Sequence, residues 1–287
     1  MFNKFSRYLP DLSASWILLI FLVVGGGILS GVIVFILKIL LGNNDGLIEI
    51  LSYPLVFIPP LFAVLFSVRK AKKREGMGYT ENTGYIPVNS PNFGNIGAPL
   101  SIALIIPLVF SFNIITEPIT IWIEMPQYFK EFIAQIREYP FSSFLAIVIF
   151  APLLEELFCR GIILRGLLYH STPVKAILWS AFMFGIMHLN PWQAIPAFLM
   201  GLLMGWLYWR TNSLWIVIFI HSLNNGVSFL ITVLFPGLPP DYGFMDLMPN
   251  NWYPFLYLTA FICSFTIIYI MHRNYDKIIP VKISPDP

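Results

Sequence analysis

The feature that most constrains this chain is the repetition of apolar runs about as long as a bilayer is thick. Candidates occur at Leu12–Leu41, Ile48–Val68, Ile96–Ile115, Phe141–Leu168, Val174–Leu189, Ala194–Trp209, Leu214–Phe235 and Tyr253–Met271. About 20 mostly apolar residues form a helix that crosses the hydrocarbon core. A barrel strand would instead alternate over about 10 residues, and these runs are continuous. The expected fold is therefore all-α, a polytopic transmembrane helical bundle of about eight spans. Charged residues make up 11% of the 287 positions, too few to cover a water-soluble particle. That excludes a cytosolic enzyme or a secreted domain. A net charge of +2 offers no basic face for nucleic acid.

The connections set the orientation. Basic residues fall in Lys4 and Arg7, in the run Arg69, Lys70, Lys72, Lys73 and Arg74, in Arg165 and Lys175, in Arg210, and in Arg273, Lys277 and Lys282. The alternate connections are neutral or acidic. An even number of spans with both termini cytoplasmic satisfies the positive-inside rule, and the expected location is the cell membrane. The first run exceeds the apolar core of a signal peptide and reads as a retained anchor. Gly27–Gly31 and Gly201–Gly205 have the GxxxG spacing that permits close helix contact. Phe129, Phe132, Ile133 and Ile136 mark an amphipathic helix at the outer interface. The stretch from Arg69 to Gly94 reads as a polar loop without chemistry. Cys159 and Cys263 lie in apolar runs and read as small hydrophobes rather than a disulfide or metal pair. Three regions are expected: 1–138, N-terminal helices with the loop and interfacial helix; 139–235, a central core; and 236–287, the last span and a cytoplasmic tail.

Charges inside a span are costly, so those present are functional candidates. They concentrate in the fourth run, at Glu155, Glu156 and Arg160. Glu156 and Arg160 are four apart and share a helix face; Glu155 points ~100° away, free of that pair. Two adjacent carboxylates, one pinned by arginine and one not, divide into a structural and a reactive role. A histidine in a span is, alone, more often a satisfied core residue than a catalyst. Folding the chain at Ser171–Pro173, however, sets His188 opposite the carboxylates. His221 and Asn225 share a face of the seventh run, and Asn224 lies beside them. Unpaired amides are expensive in hydrocarbon, so a polar cavity is expected there. This inventory suits activation of water by a carboxylate base, with His and Asn to orient it and hold an oxyanion. HExxH, GxGD and GxSG-like signatures are absent.

Glu155-Glu156-x-x-x-Arg160-Gly161, Phe184-x-x-x-His188 and His221-x-x-x-Asn225, in that order, resemble the CAAX prenyl protease and bacteriocin-processing family (CPBP or Abi, type II CAAX protease-like). The resemblance covers roughly 141–230, and Cys159 stands where the family often has Phe. It implies an intramembrane endopeptidase in which Glu155 with His188 activates water, His221 with Asn225 forms the oxyanion site, and Glu156 with Arg160 holds the arrangement. The implied partners are a membrane-associated, lipidated or other peptide or protein substrate and the bilayer, with no nucleic acid. The family has been described both as metalloproteases and as glutamate-dependent enzymes. If a divalent metal such as zinc is present, Glu155, His188 and His221 are its candidate ligands; the preferred mechanism does not require one. The alternatives are a non-catalytic membrane scaffold or bacteriocin self-immunity protein, and a proton-coupled transporter using Glu155 and Glu156.

Overall fold

The computed structural model describes residues 5–42, 45–77, 85–120, 122–249 and 251–276. Lys4, Lys277 and Lys282, counted in the charge argument, lie outside the described residues. The chain forms a helical bundle of ten helices with no strand among the described residues. They are α1 (Leu12–Leu41), α2 (45–76), α3 (Gly97–Thr120), α4 (Gln127–Glu138), α5 (140–170), α6 (Pro173–Ile186), α7 (Pro191–Thr211), α8 (Leu214–Leu234), α9 (Phe244–Leu247) and α10 (Tyr253–Asn274). Five are long and apolar enough to cross a membrane: α1, α2 over Asp45–Lys73, α3 with the turn before it, α8 and α10. α6 is apolar but stops at Ile186, short of the expected Leu189, because the chain turns there: Leu189 takes a left-handed backbone with φ 59°.

Three helices depart from α geometry, two with wider π turns and one with a tighter 3₁₀ turn. In α5, Phe144–Phe150 and Leu157–Leu164 are π-helical, flanking Ala151–Glu156. Pro152 has no N–H to donate and its ring crowds the carbonyl four residues back, so the preceding turn opens. In α2, Pro54 begins a tight 3₁₀ segment, Tyr53–Phe57. In α1, Phe21–Gly26 is π-helical and brings Gly26 against α2. A Cβ on Gly26 would overlap the Val56 carbonyl, whereas Gly27 and Gly31 have open space around them. The first expected GxxxG pair is thus not a helix contact; its neighbours Gly25 and Gly26 make the approach. Gly201 and Gly205 do serve as expected, lying against Ala181 and Ile177 of α6. α4 buries Ile133 and Ile136, places Phe129 4.6 Å from the Trp192 ring, and leaves Tyr128 exposed. This matches its sequence period.

One end of the bundle is closed by a cap. Residues 85–93 lie across it with Ile86 and Val88 buried, so this part of the expected loop is packed structure; 78–84 lie outside the described residues. Ser90 and Asn92 donate their backbone N–H groups to the carbonyls of Asn212 and Thr211, at 3.0 and 2.9 Å. Asn212 is left-handed, with φ 46°, which turns α7 into α8. Tyr208 donates its hydroxyl to the Val88 carbonyl at 2.7 Å, and Asn89 accepts from the Leu214 N–H at 2.8 Å. At the centre is Arg165, fully buried. Its five N–H donors go to the carbonyls of Gly161, Ser6, Ile86, Phe5 and Tyr8, at 2.5–2.9 Å. Arg210 clamps the carbonyls of His272 and Tyr275. The residue read from the sequence as a cytoplasmic charge, Arg165, is therefore an internal fastener.

Candidate active site

The carboxylates of α5 divide as their spacing requires. Glu156 is fully buried, and its Oε1 accepts from Arg160 Nη1 and from His221 Nδ1, each at 2.8 Å. Arg160 Nη2 also donates to the Gly201 carbonyl at 3.3 Å. A Cβ at Gly201 would sit 3.3 Å from Nη2 and 3.2 Å from Ala181, a tighter approach than side chains normally make. Glu155 points away to α2, where Tyr53 donates its hydroxyl to Oε1 at 2.5 Å. Glu155 Oε2 and Glu156 Oε2 are buried without a hydrogen-bond partner, as is Arg160 Nε.

Phe184 of α6 sits at the hub. The Arg160 guanidinium carbon is 4.3 Å from its ring centre. The rings of His188 and His221 meet it edge-on at 5.3 and 5.6 Å. Arg160 opposite Phe184 is the register that the α5–α6 hairpin predicts. Cys159 Sγ lies 3.8 Å from Met187 Sδ, and Cys159 and Cys263 are both free thiols. His188 falls just past the end of α6, half-buried. Its Nδ1 lies 2.8 Å from the Phe184 carbonyl, which can only accept. In the neutral ring, Nε2 is then the acceptor; the same logic applies to His221, whose Nδ1 faces Glu156.

Asn225 shares its helix with His221 but serves a different neighbour. Its Nδ2 donates to the Ile147 carbonyl at 3.0 Å, taking up an acceptor in the loosened π turn of α5. A chain of amides leads away from it: Asn224 donates to Asn225 at 3.3 Å, and Asn113 of α3 to Asn224 at 2.9 Å. Asn113 and Asn224 also line a cavity of about 200 Å³ at the end of the bundle away from the cap, with Thr116, Glu117, Ser228 and Tyr242. Burial pushes the Tyr242 phenol above its ordinary range. Glu117 accepts from the Met245 N–H and from the Tyr253 hydroxyl, closing that end. Of His221, Asn224 and Asn225, expected to face a polar cavity, Asn224 alone lines this one.

Glu156, Arg160 and His221 are thus brought into one network, and His188 joins them through Phe184. Glu155 stands beside that network, held from α2, and Asn225 is tied to α5. Tyr53, absent from the sequence reading, is 102 positions from its partner. Its only sequence signal was a tyrosine next to a proline in an apolar run. No group of three or more His, Cys, Asp or Glu side chains that could hold a metal ion occurs among the described residues. Glu155, His188 and His221, as arranged, do not fit a three-ligand zinc site.

Residues 137–227 match the family model of Rce1-like type II CAAX prenyl endopeptidases, a stretch that runs from Arg137 through Val227 and includes all six candidate residues. This is the family that the three motifs resemble. At the level of that family the match indicates a membrane protease of the CAAX type, a hydrolase acting on peptide or protein at the membrane. With the apolar helices, it describes a multi-pass membrane protein. No curated protein and no solved structure matches the chain.

Proposed function

We propose that the chain is an intramembrane endopeptidase of the cell membrane that hydrolyses a peptide bond with a water activated by Glu155. The observation that carries this reading is the buried, partnerless Oε2 of Glu155, beside a second carboxylate already saturated on its inner oxygen. A desolvated acceptor of this kind is suited to take a proton from water. The water oxygen bonds to the scissile carbonyl carbon while its proton passes to Glu155 Oε2. His188, through Nε2, orients that water. The carbonyl oxygen becomes an oxyanion, held by the second N–H of the Asn225 amide, with His221 beside it on the same helix. Collapse breaks the C–N bond, and the proton on Glu155 leaves with the amine. Glu156 and Arg160 position His221. The segment 139–235 supplies all of these groups, with the helices before and after it enclosing them.

The reading is tested by terminal-labelling proteomics on membranes from cells carrying wild type or Glu155→Gln at matched expression. New termini with wild type alone, reproduced by purified protein, are the expected result and name the substrate. Identical termini, with the cellular phenotype kept by the variant, would replace the protease by a scaffold or self-immunity protein.

A further inference from the structure

The candidate base is held from outside the family-matched segment. Tyr53 lies on α2, before residue 137, and donates to Glu155 Oε1 at 2.5 Å. The phenol hydroxyl is the donor and the carboxylate oxygen the acceptor. The phenol is not a loose tip that happens to reach. Its ring lies 6.0 Å from Phe57, which meets Phe158 edge-on at 6.2 Å. Phe158 follows Glu155 by three residues on α5, so both anchors of Tyr53 stand on neighbouring positions of one helix. Pro54 opens the 3₁₀ turn Tyr53–Phe57, which aims the hydroxyl and the Phe57 ring at the same helix.

We infer that Tyr53 is the positioning residue of the base: it fixes one carboxylate oxygen of Glu155 so that Oε2 alone faces the reacting water. This rests on the reading of Glu155 as the base. A carboxylate is two-fold about its terminal torsion and rotates broadly when nothing holds it. Tethering Oε1 leaves one oxygen in one direction, the pre-organisation that productive proton transfer needs. The N-terminal helices are then part of the active site rather than only its wall.

The test uses Tyr53→Phe in the full chain, which keeps the ring stack and removes only the hydroxyl. With the peptide identified by terminal labelling, kcat falls about tenfold, as loss of one such bond in the transition state gives, and KM stays within about twofold. An unchanged kcat, or an effect on KM alone, overturns the proposal. A double-mutant cycle on thermal unfolding with Glu155→Leu reads the contact without catalysis, and coupled effects are expected. Additive effects overturn the contact itself. If Glu155→Gln keeps activity while the cycle shows coupling, the base assignment has failed and the contact has not.

Discussion

Arg160 and Arg165 lie a little over one turn apart on α5, both without exposed surface, and their surroundings are opposite. Arg165 has no carboxylate and needs none; five carbonyls from three separate segments use all five of its donors. Arg160 has a carboxylate, a glycine carbonyl and an aromatic face, and still leaves Nε without a partner. Around it, two carboxylate oxygens are also unpaired. A buried polar network that is complete fixes structure; one left incomplete carries a cost that reactivity can repay. The Arg165 guanidinium is the first kind and the Glu155–Glu156 layer the second; elsewhere in the cap Ser6 Oγ, Arg210 Nε and Asn212 Oδ1 also lack partners. Chemistry is thus expected where the unpartnered atom is a carboxylate oxygen, as at Glu155, and not at an arginine whose donors are all taken.

The sharpest way to break this comparison is at Glu155. Glu155→Gln is expected to lower cleavage by about 10³-fold or more, the upper range for a lost general base, with the melting temperature nearly unchanged. A large loss of stability would mean that Glu155 belongs to the structural class. Arg165→Met is the reverse experiment. It strips the guanidinium from five carbonyls, of which those of Phe5 and Ser6 keep only the backbone N–H groups of Tyr8 and Ile86, and the expected cost is about 3–5 kcal/mol or more, as for stripping one partner from a buried charged network. Thermal unfolding in detergent measures it, and early proteolysis near residues 5–10 should accompany it. Arg165→Lys should recover only part, since an ammonium cannot serve five spread acceptors. Arg160→Met is expected to cost about 3 kcal/mol, because Glu156 is left with His221 alone. Pairing it with Glu156→Gln should restore stability but not cleavage; restored cleavage would make that network dispensable. The smallest effect is expected at Tyr208→Phe, about 1 kcal/mol from one lost hydrogen bond to Val88. Hydrogen exchange in 85–93 should rise while turnover holds, and a fall in turnover would tie the cap to the chemistry.

What could be read in the sequence was what depends on local period. The pairing of Glu156 with Arg160 follows from helical spacing, and the hairpin turn at Ser171–Pro173 suffices to set Arg160 against Phe184. Contacts between distant segments were hidden. Tyr53 reaches Glu155 only because a proline tightens one turn of a different helix. The run from Arg69 to Gly94 looked featureless because its contribution to the cap is mostly backbone: the carbonyls of Ile86 and Val88 carry no side-chain signature. Arg165 looked like a flanking charge because its partners, all carbonyls, leave no complementary residue to notice. The helix approach at Gly26 was missed for a related reason, since the π turn of α1 shifts which glycine faces α2.

Arg165 also imposes an order on how the chain is made. Its acceptors at Phe5, Ser6 and Tyr8 leave the ribosome about 160 residues before their donor does. Ile86 precedes it by 79 positions. Until α5 is synthesised, those segments have no fastener, and the amino-terminal strap must wait beside the membrane with its carbonyls in water. Domains are assembled from the N-terminus during synthesis. Here a segment made well before α5 is among the last to be locked, and a nascent chain halted before α5 should expose it to protease while a chain released after α5 should not.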